Sequence, residues 1–236
     1  MTQQQNVLRV DENGRVSVPV VTLARRRRQV VLFGMSHIAT PDFFSAVLSR
    51  LETYEKNGHR VLHEYMDPAV IARDSRAQQL HKRLEFKDKK LRKSLRRFGL
   101  AYQSDIIKPR DTWLPADMDS KRFFKSVPWI MPTRVKSCDH LIGHPNILVK
   151  SIIRLYSNQD GVPLSSLDVS VIRDERDGVA VTNIVATAQH ANVATFWGAA
   201  HIPGITTALI QEHGFSVVEE EWFEFLDLVK LTRKIR

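Results

Sequence analysis

The sequence predicts an α/β fold, in which helices flank a central sheet. In two places an apolar run is followed by a glycine turn, a histidine and then a helix that begins near a proline. The composition agrees, because 43% hydrophobic and 26% charged residues are ordinary for a globular protein. With 236 residues the chain can bury a full core, as one large domain or two small ones.

The first copy of this pattern lies near the start of the chain. Residues 30–33 predict an apolar strand, and the turn after them reads Gly-Met-Ser-His and ends at His37. Thr40 is a favourable N-cap for a helix with Pro41 at its first position. Asn-Gly at positions 57–58 ends that helix, and a second strand follows it.

The second copy predicts another strand, turn and helix. Residues 193–197 are apolar, and Gly-Ala-Ala-His follows and ends at His201. Pro203 favours a helix that runs to about His213, where a glycine stops it. Residues 215–218 then predict a further strand.

The two copies together predict a ligand site. Ligands of open α/β sheets bind beyond the carboxyl ends of strands, so neighbouring strands would bring His37 and His201 face to face. The predicted strand over residues 60–64 ends at Glu64, at the same kind of edge. The alternative is structural: two ordinary histidines at helix starts, hydrogen-bonded to loop carbonyls.

The beginning of the chain predicts a β-hairpin and a basic run. Residues 7–10 and 16–23 form its strands, with Asn-Gly in the turn between them. The run Arg25–Arg28 follows, and we interpret it as a solvated loop. We divide the chain after residue 28 and expect one α/β domain over 29–236.

A mostly helical insert or lid is expected over about 68–160. A long helix runs from Pro68 to Gly99, residues 103–119 look like a loop, and prolines break 105–145 into short pieces. Three further helices are predicted over 147–156, 164–172 and 179–189.

The net charge of +9 comes mainly from one part of the insert, residues 82–97. Such a basic helix can bind a polyanion, either a nucleic acid or an acidic membrane surface, or it can be a solvated helix. Phe86 is the one aromatic residue among these charges, so there is little for bases to stack on. The candidate polyanion ligands are Lys89, Lys90, Arg92 and Lys93.

The sequence also bears on the cellular compartment. The polar residues 1–6 do not resemble a signal peptide, and the single Cys138 is compatible with a reducing cytoplasm. The most membrane-like window, 191–210, contains His201 and Pro203, so we expect no transmembrane segment. We therefore expect a cytoplasmic protein.

Four motifs carry a resemblance to a known family. They are, in chain order, Gly34-Met-Ser-His37, Val61-Leu-His-Glu64, Glu175-Arg176-Asp177 and Trp197-Gly198-Ala-Ala-His201-Ile-Pro-Gly204. Together they resemble the TraB/Tiki superfamily, which groups with erythromycin-esterase and ChaN-like proteins. Gln103 and residues 113–118 resemble a segment of bacterial relatives. Many relatives have C-terminal membrane helices, which we do not expect here, and the basic residues 82–97 have no place in the family pattern.

The resemblance implies a central sheet of that family's type and a site built on the turn glycines Gly34 and Gly198. Two imidazoles and a carboxylate commonly hold zinc or a similar divalent ion with a position open for water. His37, His201 and Glu64 are the candidate ligands. Glu64 is either the third ligand or the general base, and without a metal it could pair with His37 for acid–base chemistry.

Two further residues are candidates for catalysis. Arg176 suits an oxyanion or a substrate carboxylate, or else a buried ion pair with Glu175 or Glu64. Asp117 suits a partner that holds a histidine tautomer, or else a helix cap in the loop.

The expected function is metal-dependent hydrolysis of a peptide or ester bond, with a peptide or small molecule as substrate. One alternative is a non-catalytic regulatory protein that holds a peptide, a small molecule or haem in the same pocket. The other is a polyanion binder that acts through residues 82–97. The substrate, the identity of the metal and the oligomeric state are not predicted.

Overall fold

The computed structural model describes residues 7–64, 92–93, 95–118 and 167–234. This part of the chain is mixed α/β, with helices packed against a central sheet of seven strands. Its strands are β1 (Arg9–Val10), β2 (Arg15–Arg25), β3 (Arg28–Met35), β4 (Ile38–Ala39), β5 (Arg60–His63), β6 (Ala101–Tyr102), β7 (Leu114–Pro115), β8 (Val193–Gly198) and β9 (Ser216–Asp227). Its helices are α1 (Pro41–Lys56), α2 (Gln103–Ile106), α3 (Leu167–Ala188), α4 (Ile202–Gln211) and α5 (Leu228–Arg233), with a 3₁₀ turn at Ala199–His201.

The central sheet is parallel in one half and antiparallel in the other. Its strands follow the order β9-β2-β3-β8-β5-β7, and β1 pairs with the start of β2. β3, β8, β5 and β7 are parallel to one another, whereas β2 is antiparallel to both β3 and β9. The two strands that precede a Gly-x-x-His turn are neighbours, with Gly34 opposite Trp197. β4 and β6 form a separate antiparallel pair.

The core lies on both faces of the sheet. Side chains of a strand alternate between its faces, so Phe33 points toward α1 while Leu32 points toward α3 and α4. On β8, Phe196 likewise lies on the face of Phe33 and Trp197 on the face of Leu32. Because both faces are covered, the central parallel strands read as almost continuous apolar runs.

Helix α1 confirms the local signals that predicted it. The Thr40 hydroxyl accepts a hydrogen bond from the Phe43 amide at 3.3 Å, and Pro41 is the first helical residue. The helix ends at Lys56, and Gly58 has a φ of +82° in the turn to β5. That left-handed conformation favours glycine, as the predicted stop requires.

Helix α3 corrects the prediction of two helices separated by residues 174–177. It runs without a break from Leu167 to Ala188. Glycine in a helix costs only about 1 kcal/mol, so Gly178 does not end it. Burial of the apolar face that includes Ala180 and Ile184 outweighs that local preference.

Three other predictions differ from the structure. β9 is 12 residues long and not confined to 215–218, because it pairs with almost the whole of β2. That pairing also makes β2 an internal strand, where a flanking hairpin was expected. The loop predicted over 103–119 contains α2 and β7, and helix α5 was not predicted at all.

Other predictions fall outside the described residues. These are most of the long helix from Pro68 and the helix over 147–156, together with Lys89, Lys90 and Cys138. None of the helices in the described ranges is long and apolar enough to cross a membrane.

Candidate functional site

The candidate site lies where the carboxyl ends of β3, β8 and β5 meet. Glu64 directly follows β5, and its amide donates to the carbonyl of Phe196 on β8 at 3.2 Å. The glutamate is thereby aligned with the end of β8, where the Gly198 amide donates to Glu64 Oε2 at 2.6 Å. The sheet itself thus positions one carboxylate at this edge.

Arg176 reaches this edge from helix α3 and joins two carboxylates. Its Nη2 donates to Glu64 Oε1 at 2.5 Å. Its Nε and Nη2 donate to Asp117 Oδ1 and Oδ2 at 3.0 and 2.6 Å, a bidentate pair that orients the guanidinium. The Arg176 side chain is only 13% exposed, and the side chain of Asp117 is fully buried.

His201 lies on the other side of this guanidinium. Its Nδ1 is 2.5 Å from Asp177 Oδ1, and its Nε2 is 3.4 Å from Arg176 Nη1. Both neighbours are satisfied if Nδ1 carries the proton and Nε2 accepts from the guanidinium. We therefore assign the neutral Nδ1–H tautomer to His201, with the Nε2 lone pair facing Arg176 and Glu64.

Two glycines allow the elements around the site to approach closely. A Cβ on Gly204 of α4 would lie 2.2 Å from Asp177 Oδ2 on α3. A Cβ on Gly34 of β3 would lie 2.7 Å from the carbonyl oxygen of Pro19 on β2. A side chain at position 34 would push β3 away from the β2 backbone, and a side chain at position 204 would displace the Asp177 carboxylate. Gly198 is less confined, with Glu64 Oε2 at 3.4 Å from such a Cβ.

Burial and the neighbouring charges shift the pKa values of the groups in this cluster. Burial disfavours the ionised form of Glu64, but the charge of Arg176, the charge of His201 when that ring is protonated, and the Gly198 amide outweigh it, so the pKa of Glu64 lies below its usual value. Burial likewise opposes the charge on Arg176, yet its bonds to Asp117 and Glu64 raise its pKa. Burial raises the pKa of Asp177, and the hydrogen bond with His201 offsets only part of this effect.

His37 lies apart from this buried cluster. It is exposed, and its Nδ1 is 3.2 Å from Gln103 Oε1. The Gln103 amide also donates to the His37 carbonyl at 2.9 Å, which fixes the turn against α2. His37 is near enough that its charge, when protonated, contributes to lowering the pKa of Glu64.

The contacts of these residues do not fit a metal ion held by His37, His201 and Glu64. Both oxygens of Glu64 are hydrogen-bonded, and Nε2 of His201 faces a guanidinium. Within the described part of the chain, no group of three or more His, Cys, Asp or Glu side chains is arranged to hold a metal. The positive charge at this place is that of Arg176. The metal stays a prediction, and we assign no chemical step to it.

One member of the cluster was missed in the sequence. Asp177 holds the His201 tautomer, a role that the sequence analysis gave to Asp117, whereas Asp117 bonds to Arg176. The available signal was the carboxylate directly after the arginine in Glu175-Arg176-Asp177. The predicted ion pair between Arg176 and Glu64 is present.

The candidate polyanion residues are only partly described. Arg92 forms an ion pair with Asp105, donates to the Ser104 hydroxyl at 2.9 Å and lies over the ring of Tyr102. It is therefore engaged within the chain and is not a freely available cation. Lys93 is exposed.

Comparison with models of protein families, with curated proteins and with solved structures finds no match to this chain. The resemblance to the TraB/Tiki superfamily therefore stays a prediction that rests on the sequence motifs alone.

Proposed function

We propose that this chain is a hydrolase of peptide or ester bonds that works by acid–base chemistry at the cluster around Arg176. One observation carries the proposal. The carboxylate of Asp177 lies 2.5 Å from Nδ1 of His201, and the opposite ring nitrogen is directed at a fixed guanidinium. A base, a group that orients it and a fixed positive charge are the components that such hydrolysis requires.

His201 is the general base of this proposal. A water molecule that replaces the long 3.4 Å contact between Arg176 Nη1 and Nε2 would give its proton to the ring while its oxygen forms a bond to the substrate carbonyl carbon. Asp177 would stabilise the resulting imidazolium through Nδ1–H. His201 would then return the proton to the leaving amine or alcohol as the carbon–nitrogen or carbon–oxygen bond breaks.

Arg176 supplies the electrostatic contribution. It stays protonated throughout, and its bidentate bond to Asp117 fixes the orientation of the guanidinium before substrate arrives. The negative oxygen that develops beside His201 would form next to the Nη1 edge, where a fixed charge lowers the barrier. Glu64 holds the other side of the guanidinium and ties it to the end of β8.

A non-catalytic ligand-binding protein is the second candidate. It is favoured by the observation that both oxygens of Glu64 and most of the Arg176 fork are bonded within the chain. Such internal networks are also found where a buried ion pair is purely structural. A ligand would then bind without turnover.

The test is hydrolysis of aryl esters and a peptide library by the purified protein and its variants. His201→Gln should lower kcat/KM by about 10²- to 10⁴-fold, the usual contribution of a general base. His190→Gln, at an exposed histidine after α3, is the matched control and should have no effect. Equal activity of wild type and His201→Gln would exclude the mechanism. Ligand binding without turnover would support the second candidate.

A further inference from the structure

A second charged feature lies at the opposite end of the sheet. β2 and β3 are joined by a tight turn in which Arg25 pairs with Arg28, so that Arg26 and Arg27 form its tip. Arg25, Arg26 and Arg27 are exposed. β3 is eight residues long, which separates this arginine tip from the candidate active site by about 25 Å. The two features are therefore independent.

Neighbouring strands add further cations to the arginine tip. Arg28 Nη2 donates to the Gln189 carbonyl at 3.3 Å, and the amide of Arg60, the first residue of β5, donates to the Asn192 carbonyl at 2.8 Å. Because only β8 lies between β3 and β5, the backbone of Arg60 is about 10 Å from that of β3.

These cations are not neutralised within the described part of the chain. None of the salt bridges among the described residues involves Arg25, Arg26, Arg27 or Arg60. Arg26 moreover has a φ of +54°, a left-handed conformation in which asparagine or glycine is the usual residue. The tip thus concentrates positive charge at a position where a smaller residue would fit the turn better.

We propose that the arginine tip, with Arg28 and Arg60 beside it, binds the phosphate backbone of a nucleic acid duplex. Guanidinium groups match phosphate oxygens in a bidentate geometry, and the net charge of +9 steers polyanions toward the protein. Because β9 flanks β2 up to Ala24 and β8 flanks β3 from Val30, only the turn projects from the sheet, which suits contact with phosphates along a duplex backbone.

The composition of the tip favours a duplex over two other partners, a single-stranded nucleic acid and an anionic membrane. Single-strand binders rely on aromatic side chains for stacking, and the tip residues are all arginine. Binding to an anionic membrane is strengthened by apolar side chains that insert between lipids, and the run Arg25–Arg28 does not supply them. Contacts confined to phosphates carry no sequence information, so the binding depends strongly on salt and little on sequence.

The experiment measures binding of the full chain to labelled DNA and RNA duplexes by fluorescence anisotropy over a range of salt. Arg26→Asn combined with Arg27→Gln removes two cations and keeps a residue that tolerates the turn. This variant should bind about tenfold or more weakly, and the slope of log Kd against log salt should fall by about two. Its thermal unfolding should match that of wild type.

Lys108→Gln combined with Arg233→Gln removes the same charge at exposed sites elsewhere and is the control. It should leave the slope unchanged. Equal losses in the two variants, or no loss in the tip variant, would overturn the proposal. So would tighter binding of the tip to vesicles of phosphatidylcholine and phosphatidylserine than to either duplex, because the partner would then be a membrane.

Discussion

At the scale of single residues, the candidate site depends on how closely two helices approach. Asp177 on α3 can bond to His201 only because Gly204 on α4 leaves room for its carboxylate. The orientation of the proposed base therefore depends on Gly204, a residue that takes no part in the chemistry.

Replacing Gly204 by alanine tests this dependence. The new methyl would overlap Asp177 Oδ2, so we expect a loss of about 1–3 kcal/mol in the free energy of unfolding. We also expect hydrolysis to decline, because His201 would lose its orienting partner. Chemical denaturation and activity on the substrates that wild type hydrolyses measure the two effects.

Gly178→Ala is the matched control for this substitution. It adds a methyl within α3, where nothing lies within 4 Å. Helix propensity should then stabilise the protein by up to about 1 kcal/mol. If Gly204→Ala proved as stable and active as wild type, the close approach of α3 and α4 would have no functional importance.

The residues of the site could be selected from the sequence, but most of their contacts could not. Glu64, Arg176 and His201 stand in short motifs that mark the ends of strands or one point on a helix. Their bonds depend on the distance between α3 and the sheet, which no local signal encodes. For that reason Asp177 was missed and Asp117 was matched with a histidine instead of an arginine.

At the scale of elements, those with complete local sequence signals were predicted correctly, and those that depend on tertiary packing were not. α1, β3 and β8 have complete local signals, namely a cap, a proline or an apolar run with a glycine turn, and each forms as expected. α3 and β9 extend further than their local signals because tertiary packing supplies the missing stability. β9 reads as polar along much of its length, yet it pairs with β2 from Arg15 to Ala24.

Arg176 links elements that the chain places far apart. It connects α3 with Glu64 at the end of β5 and with Asp117 after β7. Arg176→Gln should leave two buried carboxylates without their cation and lower the free energy of unfolding by about 3–5 kcal/mol. Arg173→Gln, one turn earlier on a more exposed side chain, is the control and should cost little.

The same variant tests whether the guanidinium occupies the place of a metal. With Arg176 removed, Glu64, Asp117 and His201 face a vacated space with excess negative charge. Added Zn²⁺ or Mn²⁺ should then raise the melting temperature of Arg176→Gln but not that of wild type. Stoichiometric metal in purified wild type, with loss of stability on chelation, would contradict this view and support the predicted metal site.

At the scale of the whole molecule, stability should depend on pH through a histidine that the proposed reaction does not use. His63 at the end of β5 is 2% exposed and stacks on Phe196 with ring centroids 5.9 Å apart. Burial lowers its pKa to about 4, and the nearby charge of Asp117 offsets only part of this effect. The folded protein therefore holds His63 neutral under conditions in which the unfolded chain would protonate it.

The direction of the pH dependence follows from the pKa of His63, which is about 4 in the folded protein and about 6.5 in the unfolded chain. Between about pH 6.5 and 4 the unfolded state binds the extra proton, so the contribution of His63 is complete above about 6.5 and is lost as the pH falls toward 4. The full difference corresponds to about 3 kcal/mol. Glu64, whose pKa is lowered, adds a second loss at more acidic pH, when its carboxylate is protonated.

His63→Gln should flatten the curve of unfolding free energy against pH in this window. The absolute stability will also change, because the ring stacking on Phe196 is lost, so the slope is the informative quantity. Some slope should persist, since burial also lowers the pKa of His59, which acts in the same direction. Urea denaturation at several pH values between 4 and 7 measures the curves, with the exposed His190→Gln as control. If the curves of His63→Gln and wild type ran parallel, His63 would be protonated equally in the folded and unfolded states, and its burial would not govern the acid sensitivity of this fold.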